Sequence, residues 1–149
     1  MISQTVEYAL RAIVVLARAT PDARTNQQLA ELTQVPSAYL PKVMLSLRKG
    51  GLVRTQRGPL GGLRLPRPAD SITLLEVVNA VDPLQRIVEC PLRLKSHAGR
   101  LCALHQKLDE TVSVAERMLR ETTLADVLRD SGGGGPLCES DMNQIVQLQ

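Results

Sequence analysis

Apolar residues recur every three or four positions along the first twenty residues of the chain, as they do on one face of an α-helix. This pattern predicts one amphipathic helix over residues 2–19, which ends before Pro21. Thr25, followed three residues later by Gln28, is typical of a capping box, in which both side chains bond to backbone N–H groups at a helix start. A short second helix is therefore expected over residues 26–33.

The next predicted element is a third helix, which follows after a turn. Apolar residues at positions 40, 43, 44 and 47 supply its buried face. It is expected to begin near Ser37 or Ala38, because Pro41 is tolerated in the first turn of a helix and not deeper. Gly50 and Gly51 are expected to end it.

A β-hairpin is predicted directly after the third helix. Residues 52–55 and 63–65 are short strand-like stretches on either side of the glycine-rich segment 56–62. Two short helices joined by a tight turn and followed by a hairpin make a winged helix-turn-helix, whose second helix can enter the major groove of duplex DNA. The expected fold class is mainly α with one small β-hairpin.

The rest of the chain is predicted to be helical apart from one loop. Thr73 and Glu76 form a second capping box, which starts a helix that ends near residue 81. Residues 84–101 show no clear period, whereas residues 102–120 carry an apolar stripe at helical spacing. The stripe consists of Leu104, Leu108, Val112, Ala115 and Leu119.

These patterns divide the chain into four parts. They are a winged helix-turn-helix domain over residues 1–82, a loop with cysteine and histidine over 83–101, a dimerisation helix and a short terminal helix over 102–130, and a flexible tail over 131–149 that includes Cys138. The long helix is expected to be either part of the core or a dimer interface. The dimer is favoured, because one small domain contacts few base pairs and two domains on a palindromic site supply the missing affinity. The first helix is also expected to pack on the dimerisation helix.

Composition narrows the possible partners. The chain has no Phe, no Trp and two Tyr, which argues against proteins that stack single-stranded bases on aromatic rings. Its hydrophobic content of 44% is enough for an aliphatic core in one domain. The longest apolar run near the start, residues 12–17, is far short of a membrane span. We therefore expect a soluble, cytoplasmic protein with no membrane partner.

The charge is divided unevenly along the chain. Residues 1–70 carry ten Lys and Arg against four acids, whereas residues 71–149 carry eight against eleven. No acid lies between Glu31 and Asp70, a stretch that contains Lys42, Arg48, Lys49, Arg54, Arg57, Arg64 and Arg67. A solvated basic surface is the alternative interpretation. Because these residues coincide with the predicted third helix and hairpin, the pattern favours binding to duplex DNA.

Several segments resemble the IscR/NsrR/CymR family of bacterial winged-helix regulators. The similarity covers about residues 1–130 and is carried by Tyr8-Ala9-Leu10-Arg11, Leu29-Ala30, Tyr39-Leu40, Leu47-Arg48-Lys49-Gly50-Gly51-Leu52-Val53, Arg57-Gly58-Pro59-Leu60-Gly61-Gly62 and Glu76-Val77-Val78-Asn79-Ala80-Val81-Asp82. The resemblance implies a homodimer that binds a palindromic promoter site, usually as a repressor, and that associates with the nucleoid when bound.

The resemblance also indicates which residues contact DNA. In the family these are the start of the recognition helix and the wing arginine, which correspond here to Ala38, Tyr39, Lys42 and Arg57. Arg48 and Lys49, near the end of the same helix, are expected to contact phosphate and fix the register. The alternative for Tyr39 is that its ring packs on the protein and exposes only the hydroxyl.

Many members of this family hold an iron–sulfur cluster with three cysteines in the loop before the dimer helix. Cys90 and Cys102 match the first and third of these, and His97 stands near the missing middle one. His105 follows Cys102 by three residues, and Glu7 occupies the first-helix position of the acidic ligand of some relatives. The resemblance therefore implies a cluster here, with two irons favoured over four.

The residues themselves leave the chemistry of this loop open. Cys102 and His105 share a helix face at this spacing and can bind one metal centre, and mixed Cys and His ligation of a two-iron centre is established chemistry. Cysteine is also often simply buried. A thiol switch of Cys90 and Cys102, or a cluster-free regulator that responds to a protein or an effector, is the alternative. A small redox enzyme is a more distant alternative. The hairpin segment lacks the Lys-Ser/Thr of a P-loop, and the sequence shows no catalytic group of carboxylates with histidine.

Overall fold

The computed structural model describes residues 2–130, so the predicted tail with Cys138 lies outside the described residues. Within that range the elements are α1 (Gln4–Ala19), α2 (Asn26–Thr33), α3 (Leu40–Lys49), β1 (Arg54–Gln56), β2 (Gly62–Arg64), α4 (Leu74–Val81), α5 (Ala103–Glu121) and α6 (Leu124–Arg129). Short 3₁₀ turns, Ala69–Ser71 and Lys95–His97, lie before α4 and before α5. The expected class, mainly α with one small hairpin, is confirmed.

Two helices begin where the capping boxes predict. The Thr25 hydroxyl accepts a hydrogen bond from the Gln28 N–H at 3.2 Å, and the Gln28 side chain accepts one from the Thr25 N–H at 3.0 Å. Thr73 and Glu76 make the same reciprocal pair at the start of α4. A third box, Thr123 with Asp126 at the start of α6, has the same spacing. Local sequence thus fixes these helix starts through backbone N–H groups that would otherwise lack partners.

The other two helices of the winged domain begin later than the apolar pattern predicts. Ser3 caps α1 through a bond from the Val6 N–H, which moves its start from residue 2 to Gln4. The segment 37–39 forms a turn closed by bonds to the Pro36 carbonyl, and α3 therefore begins at Leu40. Ala38 accordingly lies in the turn before the recognition helix.

The sheet pairs two three-residue strands, and a third segment joins its edge. Arg54 lies opposite Arg64, and Gln56 lies opposite Gly62. The strands are shifted by one or two residues from the prediction. The Leu52 N–H donates a 2.9 Å bond to the Leu47 carbonyl near the end of α3, so this residue belongs to the helix end rather than to the strand. Backbone bonds of 2.9 and 2.7 Å also join Arg24 to Leu63. Gly62 has a φ of +147°, and a Cβ there would lie 2.6 Å from the Arg24 carbonyl oxygen, so only glycine fits this approach.

The core is aliphatic, as the composition predicts, and α1 lies at its centre. α1 packs against α2, α3, α4, α6 and β2. The largest side chains that are fully buried are Ile13, Leu16, Leu29, Leu40, Leu47, Leu52, Ile72 and Leu124. Because Leu124 belongs to α6, the short terminal helix returns to the winged domain and covers its core. None of the helices within residues 2–130 combines the length and apolar character needed to cross a membrane.

A group of polar contacts around Arg86 joins the Cys/His loop, residues 83–101, to α5. The Arg86 guanidinium donates two hydrogen bonds of 2.7 Å to the Asp109 carboxylate, and the Ile87 N–H donates a third of 2.9 Å. Glu116 lies 3.4 Å from the same guanidinium. The hydrogen bonds from Arg86 lower the pKa of Asp109 from 3.8 to about 2. α5 itself packs against α4, and the expected contact of α1 with α5 stays a prediction.

Candidate functional site

The recognition helix α3 has one buried face and one free face. Leu40, Val43, Met44 and Leu47 pack it onto the core, as the apolar pattern predicts. Lys42, Leu45 and Lys49 follow one another at helical spacing on the exposed side. Arg48 is also exposed, so all three predicted basic residues of this helix face solvent.

The wing presents Arg57 at its tip. Arg57 is exposed and precedes Gly58, whose φ of +105° lies in a region that a side chain disfavours. The Gly61 N–H donates a 2.9 Å bond to the Gly58 carbonyl and closes the turn. Leu60, beside them, is 84% exposed. The turn therefore carries one cation and one apolar side chain away from the body of the domain.

An open cleft of about 560 Å³ separates the recognition helix from the wing. Its walls include Asn26, Leu45, Arg48, Thr55 and Gln56. The charge pattern identified only Arg48 among these residues. Leu45 has a usable sequence signal, because it lies three positions after Lys42 on a predicted helix. Asn26 and Thr55 carry no such signal, since the fold alone brings α2 and β1 to this cleft.

Tyr39 agrees in part with each of its two predicted roles, which are contact with DNA and packing of its ring on the protein. Its ring meets that of Tyr8 edge to face, with 6.4 Å between centroids. Tyr8 in turn lies 5.9 Å from the Arg11 guanidinium carbon. Tyr39 is nevertheless 58% exposed at the start of the recognition helix, next to the exposed Ala38. The ring is held on one edge by the protein and is accessible on the rest.

One member of the predicted basic cluster has a structural partner. Arg67 donates hydrogen bonds to the Ser71 carbonyl and to the Glu76 carboxylate. Desolvation by burial raises the pKa of Glu76, but the hydrogen bonds from Thr73 and Arg67 lower it more, so the pKa lies below its ordinary value. Arg67 also lies beyond the end of β2 rather than on the hairpin. It therefore fastens α4, and the basic surface consists of the other residues of the cluster.

A second candidate site lies where the Cys/His loop meets the start of α5. Cys102 occupies the residue position just before α5, and His105 lies in the first turn of that helix, with 3.1 Å between Cys102 Sγ and His105 Nδ1. Cys90 is buried, and its Sγ lies 3.8 Å from the same His105 Nδ1. His97, at the end of a 3₁₀ turn, places its Nδ1 3.3 Å from Cys90 Sγ. Donor atoms of Cys90, Cys102 and His105 all lie within 4.8 Å of one another.

Glu7 lies apart from this group. Its carboxylate accepts a 2.5 Å bond from Arg11 Nε, and Arg11 also donates a 3.1 Å bond to the Thr33 carbonyl. The structure thus brings together three of the five candidate ligands, Cys90, Cys102 and His105, and places His97 in contact with Cys90. Glu7 stays a prediction. Thiolate sulfur and imidazole nitrogen are donors that zinc and iron accept. Both cysteines are free, and their sulfurs lie within 4.8 Å of each other, so a disulfide would form if the two sulfurs approached to about 2.0 Å.

A recognition helix, a basic wing and a loop with clustered metal donors define a DNA-binding regulator of the winged helix-turn-helix class. The chain belongs to the Rrf2 family, described as iron-dependent transcriptional regulators, whose family model matches residues 2–130. A protein of Aquifex aeolicus assigned as an HTH-type transcriptional regulator is 30% identical over 129 residues, which are 85% of this chain and 90% of that protein.

Solved structures show the same fold. An IscR from T. potens superposes with a TM-score of 0.73 at 23% identity, over 88% of each chain. CymR, the global cysteine regulator of B. subtilis, superposes with a TM-score of 0.71 at 23% identity, over 85% of this chain and 95% of its own. The resemblance found in the sequence is confirmed, and the family is one of transcriptional regulators rather than enzymes.

Proposed function

We propose that the chain acts as a homodimer that represses transcription from a palindromic promoter site, and that the state of the Cys/His loop changes its affinity for that site. Exposed cations on both the recognition helix and the wing tip carry this proposal. Phosphates bind such a surface without sequence preference, whereas base edges in the groove provide specificity. The cytoplasm, and the nucleoid when DNA is bound, is the corresponding location.

On α3, the first turns carry the residues that would contact bases. Lys42 can donate to guanine, and the methyl groups of Leu45 can contact a thymine methyl. Arg48 and Lys49, near the end of the helix, are suited to phosphate. Arg57 on the wing can enter a narrow minor groove or donate two bonds to guanine. Ala38 and Tyr39 would lie against the backbone at the entrance of the groove.

The exposed side of α5 supports the dimer. Although α5 has 19 residues, none of them is buried in the single chain. Leu104, Leu108, Val114 and Met118 share one exposed face, whereas Val112 and Leu119 of the predicted stripe are partly covered. Leu104 is 64% exposed and Met118 is 63% exposed. A second copy of the same helix would cover this face symmetrically.

For the Cys/His loop, the family resemblance suggests an iron–sulfur cluster, and a cluster of two irons is favoured over one of four. Oxidation is the second candidate, because the free thiols of Cys90 and Cys102 lie within 4.8 Å. Two thiols would give two electrons and two protons to a hydroperoxide, which would become an alcohol and water, and a disulfide would form. Either change would act on the first turn of α5, beside the dimer face.

An Arg57→Ala substitution tests the DNA-binding proposal. We expect it to weaken binding by about 1–3 kcal/mol, roughly 5- to 150-fold, in a mobility-shift assay on a duplex selected from random sequence by the unmodified protein. Arg117→Ala is the matched control, since Arg117 is an exposed arginine on α5. Equal affinities of the two variants would remove the wing from the interface.

Reduced, peroxide-treated and iron–sulfide-reconstituted samples of the same protein would then be compared on the same duplex. We expect at least one of these treatments to change the affinity. Identical affinities in all three states would contradict the sensory role of the loop while leaving DNA binding intact.

A further inference from the structure

We infer that Cys90, Cys102 and His105, with His97 as the fourth donor, bind one divalent metal ion of the class that prefers thiolate and imidazole, for which Zn²⁺ is the natural probe, rather than a two-iron cluster. The inference deepens the proposed function and rests on it in one respect, since it names what the sensory loop binds.

The donor separations match a single tetrahedral centre. Zinc binds sulfur at about 2.3 Å and imidazole nitrogen at about 2.0–2.1 Å, so tetrahedral donors lie about 3.4–3.8 Å apart. The three sulfur–nitrogen separations here are 3.1, 3.3 and 3.8 Å. Cys90, Cys102 and His105 therefore already lie around one point at about the spacing that one ion requires, whereas His97 contacts Cys90 and would have to turn toward the other two donors to become the fourth ligand.

A two-iron cluster requires a different spacing. Its protein ligands are divided between two irons, so donors on opposite irons are separated by the metal–metal distance in addition to their own bonds. His105 Nδ1 lies within 3.8 Å of both Cys90 Sγ and Cys102 Sγ. Two irons could take Cys90 with His97 and Cys102 with His105, which are the two closest pairs. That division would still place Cys90 Sγ and His105 Nδ1, which lie 3.8 Å apart, on opposite irons. The group therefore fits one ion, and its geometry disagrees with the cluster that the family resemblance implies.

The surroundings of the group also suit a structural metal. Within residues 83–121, Cys90 is the one buried residue, so the loop has almost no apolar core of its own. An ion would join the loop to the start of α5 at Cys102 and His105, one helical turn before the contact of Arg86 with Asp109. Metal binding at such a site contributes directly to folding, because the unfolded chain does not hold the donors together.

Thiol–imidazole hydrogen bonds in a metal-free protein are the competing explanation of these distances. Native mass spectrometry of the full chain, purified anaerobically and stripped of metal, separates the two after addition of Zn²⁺ alone. We expect one zinc per chain and no acid-labile sulfide. Co²⁺ in place of Zn²⁺ is expected to give the visible bands of a tetrahedral site with thiolate ligands.

Substitutions assign the donors. Since even outer-shell partners of a metal site contribute about 10–100-fold, Cys102→Ser and His105→Gln are each expected to weaken Zn²⁺ binding by at least about 100-fold. Cys138→Ser, which changes the third cysteine of the chain, is the matched control and should bind normally. Far-ultraviolet circular dichroism would show whether the variants keep their helices, so a lost site is distinguished from a lost fold.

Three results would overturn the inference: two irons with two sulfides per chain in the anaerobically purified protein before its metal is removed, no zinc retained by the stripped protein, or equal zinc binding by Cys102→Ser and Cys138→Ser. The mobility-shift assay on metal-free and zinc-loaded protein is independent of these results. Failure of DNA binding there would contradict the proposed function and leave the metal site standing, whereas zinc binding without any change in DNA affinity would leave a purely structural site.

Discussion

The winged domain and the outer segment, residues 83–121, differ in how much apolar surface the single chain covers. Ile13, Leu16, Leu29 and Leu47 are completely buried in the winged domain. The outer segment has Cys90 as its one buried residue, and the apolar face of α5 is exposed. The winged domain thus has its own source of stability, whereas the outer segment is suited to gain stability from partners, namely a second chain and a metal ion.

The largest expected effect is in the core of the winged domain. Leu47→Ala would remove a fully buried side chain of α3 and leave a cavity, so the free energy of unfolding should fall by about 2–5 kcal/mol. Urea unfolding followed by circular dichroism measures the change. Leu60→Ala at the exposed wing tip is the matched leucine control, with a change within about 0.5 kcal/mol. A similar loss in both variants would contradict the distinction between a self-sufficient core and an exposed periphery.

The same contrast explains what the sequence predicted well. Helix periodicity and the capping boxes at Thr25 and Thr73 were sufficient for the winged domain, because these signals act over three or four residues. Sequence reasoning placed the start of α3 too early, since the turn of residues 37–39 is set by bonds to the Pro36 carbonyl. It also left α6 outside the winged domain, although Leu124 is buried there through contacts distant in sequence.

The candidate sites were predictable to different degrees. A stretch of sequence without acidic residues predicts the basic surface. The prediction that Arg67 belongs to this surface is wrong, because Arg67 pairs with Glu76, which lies nine residues away on another element. The donor group could be suspected from clustered Cys and His. The distances between its donor atoms could not be predicted, because a loop with no repeating sequence pattern brings His97 to Cys90. Long-range contacts therefore decide the geometry of both sites, and local patterns decide only their composition.

Disruption of the exposed face of α5 should have the next largest effect. Leu108→Lys would place a charge in the middle of the proposed dimer interface, so we expect the dimer dissociation constant to rise by at least about tenfold, equivalent to 1.4 kcal/mol. Sedimentation velocity over a range of protein concentrations measures this. Gln106→Lys adds the same charge to the polar side of the same helix and should leave the dimer intact. If both lysine variants remain dimeric, the interface must lie elsewhere.

A smaller effect is expected where the two regions meet. α4 packs against α1 and α3 on the winged side and against α5 on the other. Thr73→Ala would remove the hydroxyl that accepts from the Glu76 N–H, at a cost of about 1 kcal/mol in the free energy of unfolding. Thr73→Ser keeps that hydroxyl and should lose much less in the same urea titration. An alanine variant as stable as the serine variant would show that packing alone fixes the start of α4.

The smallest expected effect concerns the polar contact that holds the Cys/His loop. Hydrogen bonds from Arg86 lower the pKa of Asp109 from 3.8 to about 2, so this contact stabilises the folded loop fully above about pH 4 and is lost as the pH falls from 4 to 2. Because the pair is accessible to water, global stability should change little. The Ile87 N–H donates to the same carboxylate, so its NMR shift should titrate with a midpoint near 2 and become independent of pH in Asp109→Asn. A midpoint at the ordinary value of 3.8 would mean that the loop is not fastened to α5 in solution.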